Sequence, residues 1–129
     1  GRRSTNFQCC QSAHLAMERT SAPAVRLLSG SEDGSVACCS ASGGRLACAQ
    51  HDGPVHSACF SPDGAGSFCS ASLDGSAVAW SACGSELGRI RHDAGVRSVC
   101  WAEGCIWSGD VSGHAKCSRP SGALLRSWR

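Results

Sequence analysis

The stretch FSPDGAGSFCSASLDGSAVAW, Phe60 to Trp80, carries Ser70, Ser72 and Asp74, and His51 and His56 stand just upstream. Serine, histidine and aspartate are the parts of a hydrolytic triad if the imidazole reaches the hydroxyl and the carboxylate orients the imidazole. The rest of such a site is missing from the sequence, which has no G-x-S-x-G elbow and no evident oxyanion loop. The same residue types serve as turn formers and as buried hydrogen-bond partners. The choice between these readings depends on the elements that carry them.

Cysteine is the other abundant reactive type, with eleven in 129 residues. A disulfide framework in a secreted protein is one reading; small buried hydrophobes is the other. An odd count, the absence of any C-x-x-C spacing and the placement of several cysteines at apolar strand positions favour buried thiols. Thiols in turn favour a cytoplasmic or nuclear location over a secreted one.

Composition bounds the function further. The chain is 42% apolar and 17% charged, which is globular rather than disordered. No run of about 18 apolar residues exists, so no membrane span is expected. The N-terminus, GRRSTNFQCCQSAHLAM, has no apolar core of the signal-peptide kind. The net charge is +2, and no basic block or aromatic-interleaved basic patch argues for nucleic acid.

The chain is turn-rich, with 16 glycines and Asp-Gly pairs at 33–34, 52–53, 63–64 and 74–75. Short alternating segments lie between the turns, which predicts an all-β sandwich, barrel or propeller. The best helical candidate, Ser12 to Arg19, is short. Ser29–Val55 overlays Ser70–Val96 at a constant offset of 41 with no gap over 27 residues. Asp33-Gly34 falls on Asp74-Gly75, and His51-Asp52 on His92-Asp93. The match runs on until SPDGAG shortens to AEG, after which Ser108–Leu125 overlays Ser70–Leu87 at an offset of 38. A length change of this kind is tolerated best in a hairpin loop. The chain is thus about three copies of a unit near 41 residues, the period of a four-stranded propeller blade. The middle unit reads as strands 55–60, 67–72, 76–80 and 86–91. His51 and His56 lie on one unit and His92 on the next, and no Cys/His spacing fits zinc, so neither a metal nor another cofactor is expected.

The central unit, HDGPVHSACFSPDGAGSFCSASLDGSAVAW, resembles the WD-repeat family of β-propellers. It has the leading His, the V-x-S-x-x-F-S-P-D-G strand and turn, the S-A-S-x-D-G strand end and the Trp that closes the third strand. The resemblance covers roughly residues 24 to 125. It implies a partial β-propeller of about three four-stranded antiparallel blades, near 13–50, 51–91 and 92–129, after an unassigned extension over 1–12. It also implies a hydrogen-bonded structural tetrad of His51, Ser72, Asp74 and Trp80. In that tetrad His51 bridges Asp74 and Ser72, and Ser72 reaches the indole N–H of Trp80. The set recurs in part as Ser31 and Asp33. The first unit has Cys39-Ser40, and the last Ser118-Arg119, where the middle unit has Trp80-Ser81. The last unit also has Asp110 and Ser112 where Ser and Asp should stand. SLDGSAVAW superficially suggests the Asp-box of sialidase-type propellers, but that motif separates Asp from Gly and here they adjoin.

The resemblance implies a non-catalytic scaffold that holds proteins through one rim. The expected partner-facing residues are Glu32 and Leu73, before the turn aspartates, and His56 and Arg97, at the start of the first strands. Ordinary solvated loop residues is the competing reading for each. Three blades do not close a ring of four to eight. Further blades or self-association are therefore expected to cover the open edges. A secreted disulfide-stapled β protein and a propeller hydrolase using Ser, His and Asp remain as alternatives.

Overall fold

The computed structural model describes strand His14–Arg19 and residues 25–129, with side chains from residue 26 onward. Twelve strands form three antiparallel sheets of four. The first holds β1 (His14–Arg19), β2 (Val25–Gly30), β3 (Ser35–Ser40) and β4 (Arg45–Gln50). The second holds β5 (Val55–Phe60), β6 (Phe68–Ser72), β7 (Ser76–Trp80) and β8 (Glu86–Arg91). The third holds β9 (Val96–Ala102), β10 (Cys105–Asp110), β11 (Ala115–Ser118) and β12 (Leu124–Trp128). Each sheet is a simple meander, as short strands joined by tight turns dictate. The helical candidate is a strand instead: most of Ser12–Arg19 forms β1, pairing with β2 from His14↔Gly30 to Arg19↔Val25. Tertiary pairing overrides a weak local preference there. The extension over 1–12 lies outside the described residues.

The sheets stack as blades. The first strands of successive sheets adjoin, β1 with β5 and β5 with β9. Period-2 alternation sends the two faces of the middle blade to different neighbours. Phe68, Val78 and Trp80 join Leu28, Val36 and Cys38 of the first blade in one core. Cys69, Ala71, Ala77 and Ala79 join Val96, Val99, Trp101 and Ile106 of the third blade in another. On the middle blade the large residues sit on one face and the small ones on the other, so at the second junction the bulky side chains of the third blade meet a thin surface.

Turn chemistry sets the register. Gly75 lies at φ 92°, a conformation that side chains resist, and the adjacent Asp74 carboxylate accepts from the Ser76 N–H at 2.9 Å. The three-residue deletion in the third unit is a change of hairpin. Ser61–Ser67 is a wide loop closed by Ser61 N–H donating to Ser67 O at 2.8 Å. Its counterpart is a two-residue turn, Glu103-Gly104, with φ of 54° and 75°. Two positive φ values mark a type I′ turn, which matches strand twist.

Gly88 shows how closely the second and third blades approach. A Cβ placed there would collide with the backbone of Pro120 and Ser121 in the β11–β12 turn. Gly88→Ala is therefore expected to destabilise the chain by about 1–3 kcal/mol, the cost typical of overpacking. Urea denaturation of the variant beside the parent measures it.

Candidate functional site

The candidate chemistry converges at the junction between β5, β6 and β7. The His51 N–H donates to Gly34 O at 2.7 Å, which ties the residue to the Asp-Gly turn of the preceding blade. From that position the ring is buried, with 3% of the residue exposed. Its Nδ1 meets Asp74 Oδ2 at 3.2 Å, and its Nε2 meets Ser70 Oγ at 2.6 Å. The Trp80 indole N–H donates to the same Ser70 oxygen at 2.9 Å. Trp80 also sets its ring edge-on to the imidazole, 5.9 Å between centroids, and stacks on Phe68.

The order of donors and acceptors follows from these contacts. Nδ1–H faces the carboxylate, so Nε2 accepts from the Ser70 hydroxyl, whose oxygen in turn accepts from the indole. Burial favours the neutral imidazole. Burial lowers its pKa from the usual histidine value, and the pull of Asp74 does not reverse the shift. Burial alone would raise the Asp74 carboxyl. The Ser76 hydroxyl, the N–H groups of Ser76 and Asp52 and the His51 ring outweigh it and hold the pKa at about 2.

The tetrad serine is therefore Ser70, which corrects the assignment of Ser72. Both residues face the same way on β6, but Ser72 lies two residues further from Trp80, about 7 Å along the strand. Its hydroxyl does other work, donating to Gly53 O at 3.0 Å and accepting from the Asp74 N–H at 3.1 Å. A signal for Ser70 was present in the repeats. Serine recurs at 29, 70 and 108, whereas the counterparts of Ser72 are Ser31 and Asp110. Ser76 was also missed; its hydroxyl bonds Asp74 at 2.6 Å and the His51 ring at 3.2 Å.

The third blade builds the same device with one part moved and one lost. His92 Nε2 meets Ser108 Oγ at 2.8 Å, and its Nδ1 meets Asp110 Oδ2 at 2.9 Å. Asp110 stands two positions earlier than Asp74 does in its unit, yet its other oxygen binds the turn N–H groups of Ser112 and His114. Burial pushes this carboxyl up, but the bonds from Ser112, His114 and His92 hold it well below the usual range. Ser118 replaces the tryptophan. Its hydroxyl is buried and has no partner among the described residues. A cleft of about 300 Å³ beside this blade is lined by His92, Asp110, His114, Lys116, Trp128 and Arg129 among others, with both signs of charge.

The geometry is that of a triad with its nucleophile sealed. Ser70 has no exposed surface, and its oxygen is already occupied by the indole. Among the described residues no three His, Cys, Asp or Glu side chains are arranged to hold a metal ion.

The four residues expected to face a partner are all exposed. Glu32 and Leu73 occupy the β2–β3 and β6–β7 turns. His56 and Arg97 lie where the pairing slips, between Val55 and Ser57 and between Val96 and Ser98. Each is the extra residue of a β-bulge, which leaves it unpaired and turns it outward. The turns and bulges share one rim: Leu73 N–H donates to Pro54 O, and Val111 N–H donates to Gly95 O, both at 2.9 Å. Val111, 55% exposed, takes the place of Leu73 in the third blade. The 38-residue offset marks it, and it stands on the same rim.

No family model matches the sequence. No curated protein matches it either. Solved structures do. The WD40 β-propeller domain of Doa1 superposes with a TM-score of 0.69 at 22% identity, over 81% of this chain and 36% of that one. The β-propeller domain of Cps50 (Swd1) from Myceliophteria thermophila gives 0.73 at 16% identity, over 89% and 38%. The chain spans little more than a third of the length of either. At these identities the likeness shows the fold, and the fold is a WD40-type β-propeller segment of about three blades.

Replacing Ser70 by Ala strands two buried groups at once, the imidazole Nε2 and the indole N–H. It is expected to cost about 2–3 kcal/mol, against about 1 kcal/mol for Ser72→Ala, whose partners Gly53 and Asp74 are only half-buried. Urea midpoints followed by tryptophan fluorescence give both values, and a larger loss for Ser72→Ala would reverse the assignment.

Proposed function

We propose that the chain is a non-catalytic scaffold segment that binds proteins through the rim formed by Glu32, His56, Leu73, Arg97 and Val111. The observation that carries this reading is the repeated bulge. Two successive blades each interrupt the ladder at the same place, and each turns one side chain outward, beside an exposed turn residue. The outward side chain that a bulge leaves is one that recognition of a partner would use. The rim is mixed, with one acid, one base, one imidazole and two aliphatic groups, which suits a protein surface better than a phosphate backbone. The sealed Ser70 supports a structural rather than a hydrolytic role for the Ser-His-Asp set. The odd cysteine count, and the place of Cys38, Cys39, Cys69 and Cys117 in buried strands, support a reducing compartment, cytoplasm or nucleus.

Leu73→Glu with Arg97→Glu is expected to abolish capture of proteins that the parent chain retains, with an unchanged circular dichroism spectrum. Retention of the same proteins at parental levels would refute the rim.

The scaffold also needs a neighbour for its third blade. The face that β10 and β12 turn away from the second blade carries Trp107 and Trp128, stacked at 6.0 Å and 37% and 41% exposed. Their counterparts in the second unit, Cys69 and Ile90, are buried against the next blade. A further four-stranded blade is the occupant that the repeat calls for. The chain expressed by itself is therefore expected to self-associate, and Trp107→Glu to shift it toward monomer. Light scattering that finds a monomeric parent would remove this part of the reading.

A further inference from the structure

The outermost strand of each blade carries a β-bulge at the same place. β4 pairs Ala47 with Cys38 and then Arg45 with Cys39, which leaves Leu46 out of the ladder. β8 pairs Gly88 with Ala79 and then Glu86 with Trp80, which leaves out Leu87. β12 pairs Arg126 with Cys117 and then Leu124 with Ser118, which leaves out Leu125. The extra residue is leucine in all three blades, and these leucines are 50%, 45% and 47% exposed. Bulges and charged side chains both blunt a sheet edge against unwanted pairing. Blunting accounts for the bulge, but not for an aliphatic side chain left exposed in every blade. A missing neighbour does not explain it either, because Leu46 and Leu87 stay exposed with the next blade already in place.

The three leucines form one row. A Cβ on Gly84, in the β7–β8 turn, would lie 2.6 Å from Cys48 O on β4, and one on Gly122, in the β11–β12 turn, 3.0 Å from Arg89 O on β8. Each of these outer strands thus meets the next blade at a glycine, with no side chain between them. By the chain path through these contacts, successive leucines are no more than about 25 Å apart. The outer strands carry four arginines, Arg45, Arg89, Arg91 and Arg126, against one acid, Glu86, which Arg89 binds at 3.0 Å.

We propose that this row is a second docking surface, separate from the rim, and that it takes an acidic segment of a partner protein bearing aliphatic side chains. The arginines select acid, and the leucines select aliphatic groups. The shape selects a segment of chain. The first strands of the blades adjoin and the outer strands fan apart, so the row curves round the wall. A stretch of polypeptide follows such a curve, whereas a flat bilayer meets it at one blade. An extended segment of about 15 residues is long enough to reach all three leucines.

The test selects a phage library of random peptides of about 16 residues on the Trp107→Glu chain, which limits self-association. A parallel selection uses the same chain with Leu46→Ser, Leu87→Ser and Leu125→Ser. Peptides enriched on the first chain and not on the second are expected to hold more Asp and Glu than Lys and Arg, together with Leu, Ile or Val. Fluorescence anisotropy of the synthetic peptides should show affinity falling roughly a hundredfold with the three serines, since each leucine has about half its surface left to bury. Arg126→Glu should weaken the same peptides, and the rim substitutions Leu73→Glu with Arg97→Glu should not. Equal enrichment on both chains, or enriched peptides that are basic, overturns the proposal. So does pelleting with phosphatidylserine vesicles that the three serines abolish, which assigns the row to a membrane. Loss of the parent chain's self-association with the same three serines assigns it to a second copy and also overturns the proposal. Circular dichroism of each variant confirms that it folds.

Discussion

β6 and β7 are buried at every one of their ten positions, because a blade between two blades has no solvent face. That constraint shapes the rest. Two-sided burial leaves room for large residues on one face only, so Phe68, Val78 and Trp80 oppose a thin layer of Cys69, Ala71, Ala77 and Ala79. It also forbids any polar side chain that lacks an internal partner, since a buried unpaired group costs about 1–3 kcal/mol. Ser70, Ser72 and Ser76 all sit in these strands with no exposed surface. The imidazole of His51 resolves much of this demand. Held by the turn of the preceding blade, it engages Ser70, Ser76 and Asp74 at one point.

The third blade shows what the network tolerates. The position of the carboxylate is negotiable: Asp110 reaches His92 from two residues earlier in its unit, because what the ring needs is an acceptor at the turn rather than a particular turn sequence. The indole is harder to replace. With Ser118 in its place the histidine keeps both of its bonds, but a buried hydroxyl is left over. The first blade has Cys39 at the same place, a small apolar group that makes no such demand. Loss of the tryptophan is thus borne differently by the two blades that lack it.

The architecture was legible in the sequence because it repeats. Offsets of 41 and 38 align turns, core positions and the deleted loop, and strand segments read from alternation at 55–60, 76–80 and 86–91 coincide with β5, β7 and β8. What escaped was decided by geometry finer than a motif. Ser70 and Ser72 share a face and a composition, and only the diagonal reach of Trp80 across β7 separates them. β1 lacks its own alternation and is a strand because β2 offers it a ladder. The bulges that expose His56 and Arg97 come from a slip in pairing that no single residue announces.

Those bulges and the histidine network are parts of one arrangement. The segment from His51 to Val55 crosses from one blade to the next, and it is pinned at both ends to the preceding turn: His51 N–H to Gly34 O, and Val55 N–H to Ser31 O at 3.0 Å. Its middle is pinned to the following turn, where Leu73 N–H donates to Pro54 O. A strand that starts from so fixed a point cannot adjust its register freely against β6, and the mismatch is taken up in one extra residue, His56. Two of these pins recur in the next crossing, His92 N–H to Gly75 O and Val111 N–H to Gly95 O, and the bulge that follows delivers Arg97. Rigidity inside the junction therefore produces the protruding residues on the rim, and in the proposed role it would spare a partner the cost of ordering them.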